Sequence, residues 1–382
     1  MLQSLFHAWE RRLASRSKDR VVRPFDWGLE WIPQNGHPPG ADPAQVVGDW
    51  VSRVMTDTDR FFTPEPTRDY TLGGAADDRV LTFPSAYVTP HPENNTVYCR
   101  YFPAPSRRTI GGSTRAAAAH IRRRTSPPSA PAPRSTRCTG PQSRAAVVVL
   151  PQWNSNAHGH AGLCRLLAWN GISALRLTLP YHDRRMPPEL HRADYIVSAN
   201  IVRTVQVCRQ AVLDARRAVA WLATQGYDRI GILGTSLGSC LALLTTAHEP
   251  LIRAQALNHI SPQFADVVWR GLSTRHVRAG LDGHIQLDEL RSLWQPITPC
   301  RYLPRVQDRR TLLVYARYDL TFPVDLSEHL VQAFREHNIP FELRVLRCGH
   351  YSTGKAPFKY VDGWVLTRFL KRALLEACLS GL

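Results

Sequence analysis

From Ala145 onward, short apolar runs alternate with longer amphipathic segments, and few architectures accept that pattern. Runs at 145–150, 172–179, 229–233, 254–258, 311–316 and 341–346 read as strands, and segments near 160–170, 203–225, 237–248, 324–337 and 359–379 read as helices. Strands this continuously apolar need cover on both faces. The pattern therefore predicts an α/β fold with a mostly parallel sheet between two layers of helix. Two earlier strand signals, 80–88 and 96–102, are joined by a Pro/Asn turn and predict an antiparallel hairpin at one edge, giving eight strands in all. Between the fourth and fifth runs, 262–305 places Trp269, Leu272 and Trp294 in helix-like patterns and reads as a small helical cap.

The remainder divides into an N-terminal extension, 1–78, and a basic insertion, 106–144, within a main domain, 79–382. Residues 1–16 put Leu2, Leu5, Phe6, Trp9 and Leu13 at helical spacing, with Glu10, Arg11 and Arg12 off that face. This predicts a helix packed on the body, in preference to one lying on a membrane surface. Residues 46–62 read as a second helix, ended by Pro64 and Pro66. The insertion holds nine Arg, no Asp or Glu, and no Leu, Phe or Trp, so it cannot bury enough apolar surface to order itself.

That segment also carries nine of the seventeen net positive charges, and the chain uses 44 Arg against 4 Lys. With no nucleic-acid-binding motif present, the charge does not call for a nucleic-acid partner. The eight cysteines are scattered, without C-x-x-C pairs or metal-ligand spacing, which fits reduced thiols rather than a disulfide framework or a metal site. The N-terminal sequence lacks the apolar core and cleavage site of a secretory leader, so a cytoplasmic location is expected.

At the end of the third run stands Gly234-Thr-Ser236-Leu-Gly238, followed at once by the helical segment 237–248. A serine on a tight strand-to-helix turn is held out at the strand end, and glycines two residues on either side let strand and helix approach. In an open parallel sheet, reactive groups collect beyond the carboxyl ends of the strands. Asp319 follows the fifth run, in Tyr318-Asp319-Leu-Thr-Phe-Pro323, and His350 follows the sixth, in Gly349-His350. A serine hydroxyl needs a base to take its proton, and the imidazole needs a carboxylate to fix its tautomer. Ser236, Asp319 and His350 supply these roles. Asp325 and Asp266 are the rival acids, but one falls inside the next helix and the other in the cap.

On these motifs the chain resembles the α/β-hydrolase superfamily over 80–105 and 145–379. The stretches Pro180-Tyr-His-Asp-Arg-Arg-Met-Pro187 and 220–228 resemble the branch that includes the domain-18 abhydrolases. The resemblance implies an α/β-hydrolase fold and a serine hydrolase acting on a small-molecule carboxylic ester or related acyl substrate, without a cofactor or metal. An acyltransferase, a peptidase or a non-catalytic binding protein are the rival readings. The oxyanion hole would take one amide from Leu237 and a second from Trp153 or, next, Gln152. Here the chain departs from the family, which usually has His-Gly where Pro151-Gln152 stand.

Four further residues are candidates for substrate binding. Arg184 and Arg185, beside His182, could clamp a substrate anion, or form an internally paired loop, the plainer reading. His259 also follows a strand and is the rival base and a possible substrate contact, but reads preferably as a satisfied core histidine or one that supports a site residue from behind. His158 and His160 lie on loops at the same edge, with no stronger claim than other polar loop residues.

Overall fold

The computed structural model describes residues 2–33, 40–75, 78–105 and 144–376. The basic insertion up to residue 143 lies outside these residues, as do Cys138 and Cys378. Nine strands form one sheet: β1 Thr71–Gly73, β2 Arg79–Pro84, β3 Thr96–Phe102, β4 Ala145–Leu150, β5 Ile172–Leu177, β6 Arg229–Thr235, β7 Ile252–Asn258, β8 Arg310–Ala316 and β9 Phe341–Leu346. Their order is β1-β2-β3-β5-β4-β6-β7-β8-β9. Pairing is antiparallel from β1 to β5 and parallel from β5 through β9. The ninth strand, one more than expected, is β1, a three-residue exposed edge with no periodicity to betray it. The expected 80–88 strand stops at Pro84, and Ser85 turns away to donate its hydroxyl to Asp214 at 2.8 Å.

The twelve α-helices described are α1 Leu2–Ala14, α2 Pro43–Thr56, α3 Thr58–Phe62, α4 Ala161–Trp169, α5 Ile201–Thr224, α6 Leu237–His248, α7 Phe264–Arg270, α8 Arg275–Leu281, α9 Leu287–Leu293, α10 Val324–Glu336, α11 His350–Thr353 and α12 Phe358–Lys371. Every residue of β4 is buried, and its alternate side chains enter two different cores. Ala146, Val148 and Leu150 enter the core covered by α5 and α6, while Val147 and Val149 enter the core that contains residues of α4 and α12. A strand buried on both sides is the origin of its unbroken apolar run. The single helix expected over 46–62 is broken at Asp57, whose carboxylate accepts the Arg60 N–H at 2.9 Å and starts α3. The segment 262–305 forms α7, α8, α9 and two 3₁₀ turns.

Helix α1 packs on the body through Phe6, Trp9 and Leu13 of the expected face, but that face does not extend to the first turn, and Glu10 is buried beside it. Leu2 and Leu5 stay largely in solvent, whereas Glu10 is wholly buried with Leu13 and Ala14. Phe6 stacks on Tyr318 at 4.5 Å between ring centroids. No helix among the described residues is long and apolar enough to cross a membrane. The six described cysteines are free, five of them buried.

Candidate active site

Strand β6 ends in the turn at Ser236, which holds φ 58° and ψ −122°, a backbone region that costs a residue with a Cβ. The flanking glycines explain how the turn closes. A Cβ on Gly234 would overlap the carbonyl of Gly238, and one on Gly238 would overlap the carbonyls of Leu150 and Pro151. The loop after β4 therefore lies directly against the first turn of α6. Ser236 N–H donates to the Asn258 carbonyl at 2.8 Å, tying the elbow to the end of β7.

Two loops deliver its partners. Ser236 Oγ lies 3.0 Å from His350 Nε2, and His350 Nδ1 lies 2.9 Å from Asp319 Oδ2. Asp319 Oδ1 accepts the amides of Thr321 and Phe322, each at 2.8 Å. The Phe322 ring lies parallel to His350, with centroids 5.3 Å apart, and so fixes the plane of the imidazole. Burial pushes the Asp319 carboxyl up, but the His350 charge and the hydrogen bonds from His259 and His350 outweigh it and hold the group well below the usual carboxylate range. Burial works against the His350 cation, yet Asp319 and, more weakly, Glu10 raise its pKa above the ordinary value.

Asp319 also has a second imidazole partner. His259, 2% exposed, places Nδ1 3.0 Å from the same Asp319 oxygen, and its ring lies 4.7 Å from that of His350. Ligand atoms of His259, Asp319 and His350 lie within 4.8 Å of one another, a spacing a metal could use. Each is already engaged here, since a carboxylate oxygen accepts both Nδ1–H groups.

The site opens into a cavity of about 880 Å³ lined by Gln152, Trp153, Ser236, Leu237, His259 and His350 among others. Its apolar wall comes from Leu163 and Leu166 of α4 and from Val267 and Val268 of α7. The Leu237 amide, at the first position of α6, is one of the N–H groups a helix start leaves without an intrahelical partner. In the loop after β4, the Asn154 amide donates to His182 Nε2 at 2.9 Å, which leaves Gln152 and Trp153 as the loop amides nearest in sequence to the elbow contact.

Three of the substrate-binding candidates lie elsewhere. His182 is buried, bonded through Nδ1 to the Pro180 carbonyl, and burial pulls its pKa down to about 3; it braces the loop after β4. Arg185 is fully buried, bonded to the carbonyls of Asn94 and Thr178 and paired with Asp214 at 2.9 Å. Arg184 is exposed, its guanidinium 5.7 Å from the centre of the Tyr98 ring. The internally paired loop is thus what the structure contains.

One residue placed off the packing face of α1 belongs to the site's framework. Glu10 accepts the amides of Tyr351 at 2.8 Å and Ser352 at 2.9 Å, next to His350. A Cβ on Gly349 would overlap the Glu10 carboxyl, so that glycine makes room for it. Helical periodicity assigns a glutamate to solvent, and nothing in the sequence signals this contact.

No protein-family model matches the sequence, and no curated protein does. Solved structures do match in fold. The chain is similar to an acetyl xylan esterase from Paenibacillus sp. R4 (14% identity, 95% of this chain and 99% of that one, TM-score 0.57). It is similar to acetyl xylan esterase 1 from Thermoanaerobacterium sp. JW/SL YS485 (13% identity, 90% and 99%, TM-score 0.52). It also matches the Pyrococcus horikoshii acylaminoacyl peptidase (12% identity, TM-score 0.55), covering 80% of itself but spanning only 42% of that longer chain. With the strand order and the elbow on β6, these likenesses identify the fold as that of the α/β-hydrolases.

Proposed function

We propose that the chain is a serine hydrolase that cleaves a carboxylic ester or related acyl substrate through an acyl-enzyme on Ser236. The observation that carries the reading is the continuous relay from Ser236 Oγ to His350 Nε2 and from His350 Nδ1 to Asp319, at 3.0 and 2.9 Å. Ser236 Oγ attacks the acyl carbon while His350 Nε2 takes its proton, and Asp319 stabilises the resulting imidazolium. The Leu237 amide and a Trp153 or Gln152 amide receive the negative charge on the carbonyl oxygen. His350 then passes its proton to the leaving group. It next takes one from water as the oxygen attacks the acyl carbon, and returns that proton to Ser236 Oγ as the acyl group leaves as the acid.

Labelling with a fluorophosphonate probe tests this directly. Wild-type protein should react and Ser236→Ala should not. Equal labelling of the two, or none of either, removes Ser236 from the role.

A further inference from the structure

The cavity at Ser236 carries an uneven charge. Arg20, Arg192 and Lys359 line it, against one acid, Asp362, which accepts from Asn258 Nδ2 at 3.0 Å. Lys359 is exposed on α12, its ammonium 4.8 Å from the centre of the Tyr360 ring. The two arginines share one neighbourhood. Burial pulls the His276 pKa down to about 4, and the charges of Arg192 and Arg20 add to that effect.

Both guanidiniums are held beside the relay. Arg20 Nη2 donates to the Tyr351 hydroxyl at 2.9 Å, and the Tyr351 ring meets that of His350 edge-on, with centroids 6.0 Å apart. Arg192 stands over the Trp153 ring, 5.3 Å from its centre. Trp153 in turn donates Nε1–H to the Ala193 carbonyl at 2.8 Å, and the Ala193 amide donates to Asn154 Oδ1 at 2.8 Å. The loop that carries Arg192 is therefore tied to the loop after β4.

The carboxylates nearby do not balance these cations. Arg23 pairs with Asp194 at 3.3 Å, and Arg192 lies 3.0 Å from Asp19 and 3.6 Å from Asp194. Among the described residues Arg20 has no carboxylate partner, and its one hydrogen bond goes to a neutral tyrosine. Three arginines thus share two aspartates, and the unmatched charge falls on the arginine that lines the cavity. Arg20 Nη1 and Arg192 Nη2 make no hydrogen bond among the described residues, and neither is enclosed, so each is free to donate to an incoming group. A guanidinium presents its N–H groups as a planar fork that fits a carboxylate. A carboxylate also brings the single charge that is unmatched here, whereas a phosphate monoester brings nearly two.

We infer that Arg20 and Arg192 hold a carboxylate of the substrate, remote from the ester that Ser236 attacks, which makes that substrate a monoester of a dicarboxylic acid or an ester of a hydroxy acid. This rests on the serine-hydrolase reading above. The N-terminal extension then selects substrate as well as bracing the loop of His350.

Competition against fluorophosphonate labelling of the full chain tests the inference without a known substrate. Monomethyl adipate is compared with methyl hexanoate, and 5-acetoxypentanoate with pentyl acetate, each pair exchanging a carboxylate for a methyl group. In at least one pair the acid should halve the labelling rate at a concentration about tenfold below its neutral partner. The pair that does so tells whether the carboxylate belongs to the acyl or the alcohol part. That ratio should fall towards one in Arg20→Gln and, in the wild type, should shrink with added salt. A wild-type ratio near one in both pairs would overturn the inference while leaving the nucleophile standing. A ratio untouched by Arg20→Gln, or by salt, would do the same. Stronger competition by 4-acetoxybutyl phosphate than by either acid would overturn the carboxylate assignment. Absence of labelling altogether would overturn both readings.

Discussion

Glu10 accepts the backbone N–H of Tyr351 at 2.8 Å, one residue beyond the His350 that faces Ser236. The N-terminal helix thereby holds the loop that carries His350, and through Phe6 on Tyr318 it also braces the loop that carries Asp319. Glu10→Gln keeps the shape but replaces one accepting oxygen with a donor that faces an amide, at a cost of about 1–3 kcal/mol. Turnover should fall by roughly tenfold, the order expected when a supporting group no longer holds a reacting group in place. The loss should fall mainly on kcat, because Glu10 does not line the cavity. Unchanged kcat in a folded Glu10→Gln protein would show that the loop keeps its place without the carboxylate.

The same contact sets a pH dependence. His350 must be neutral to act as base, and its pKa is raised above the ordinary 6.5, so kcat/KM should climb through a limb lying above that value. Glu10 contributes to the rise, and removing its charge should move the limb to lower pH. A kcat/KM profile of wild type beside Glu10→Gln checks both the sign and the direction. A shift to higher pH would contradict the assignment.

Asp319 carries four hydrogen bonds, two from imidazoles and two from backbone amides. Asp319→Asn offers a donor where both imidazoles need an acceptor, and kcat should fall by about 10³–10⁴-fold. The folded-state pKa of Asp319 lies below its ordinary 3.8, so its ionisation contributes stability above about pH 4 that is lost as pH falls through the folded value. The stability gap between wild type and Asp319→Asn should therefore be larger at pH 4, where His350 is protonated, than at pH 7, and narrow in strong acid. Chemical denaturation at pH 7, 4 and 2.5 reads this out.

Arg184 and Arg185 are neighbours with opposite fates. Arg185 pairs with Asp214 with neither side chain exposed, and removing one partner of such a pair costs about 3–5 kcal/mol. Arg185→Ala should lower the unfolding midpoint sharply, whereas Arg184→Ala should leave both stability and kcat/KM within about twofold, as surface changes usually do. A loss of activity in Arg184→Ala without loss of stability would restore the anion-clamp reading.

The framework was legible where one local rule dominates. Strands β4 and β9 were readable to the residue because a run buried on both faces or bounded by turns leaves a plain pattern. Ser236, Asp319 and His350 were readable because a parallel sheet gathers strand ends. Glu10, Asn258 and Asp362 were not, since each is defined by a contact more than a hundred residues away in the chain. Periodicity treats Glu10 as a surface residue for the same reason. It counts charge against burial and cannot see two loop amides waiting in the interior.

The backbone of Ser236 supplies the last expectation. At φ 58° and ψ −122° a side chain is tolerated only because the packing of α6 on β6 and on the loop after β4 dictates the turn. Such a conformation costs about 1–3 kcal/mol for a residue with a Cβ and far less for glycine. Glycine gives back about 0.5–1 kcal/mol through the greater freedom of its unfolded chain. Ser236→Gly should therefore be more stable than Ser236→Ala by about 1 kcal/mol, although both abolish labelling. Comparing these two removes the hydroxyl from the ledger, because neither variant has it. Denaturant midpoints with equal slopes give the difference, and a Ser236→Gly protein less stable than Ser236→Ala would mean that the turn stores no strain.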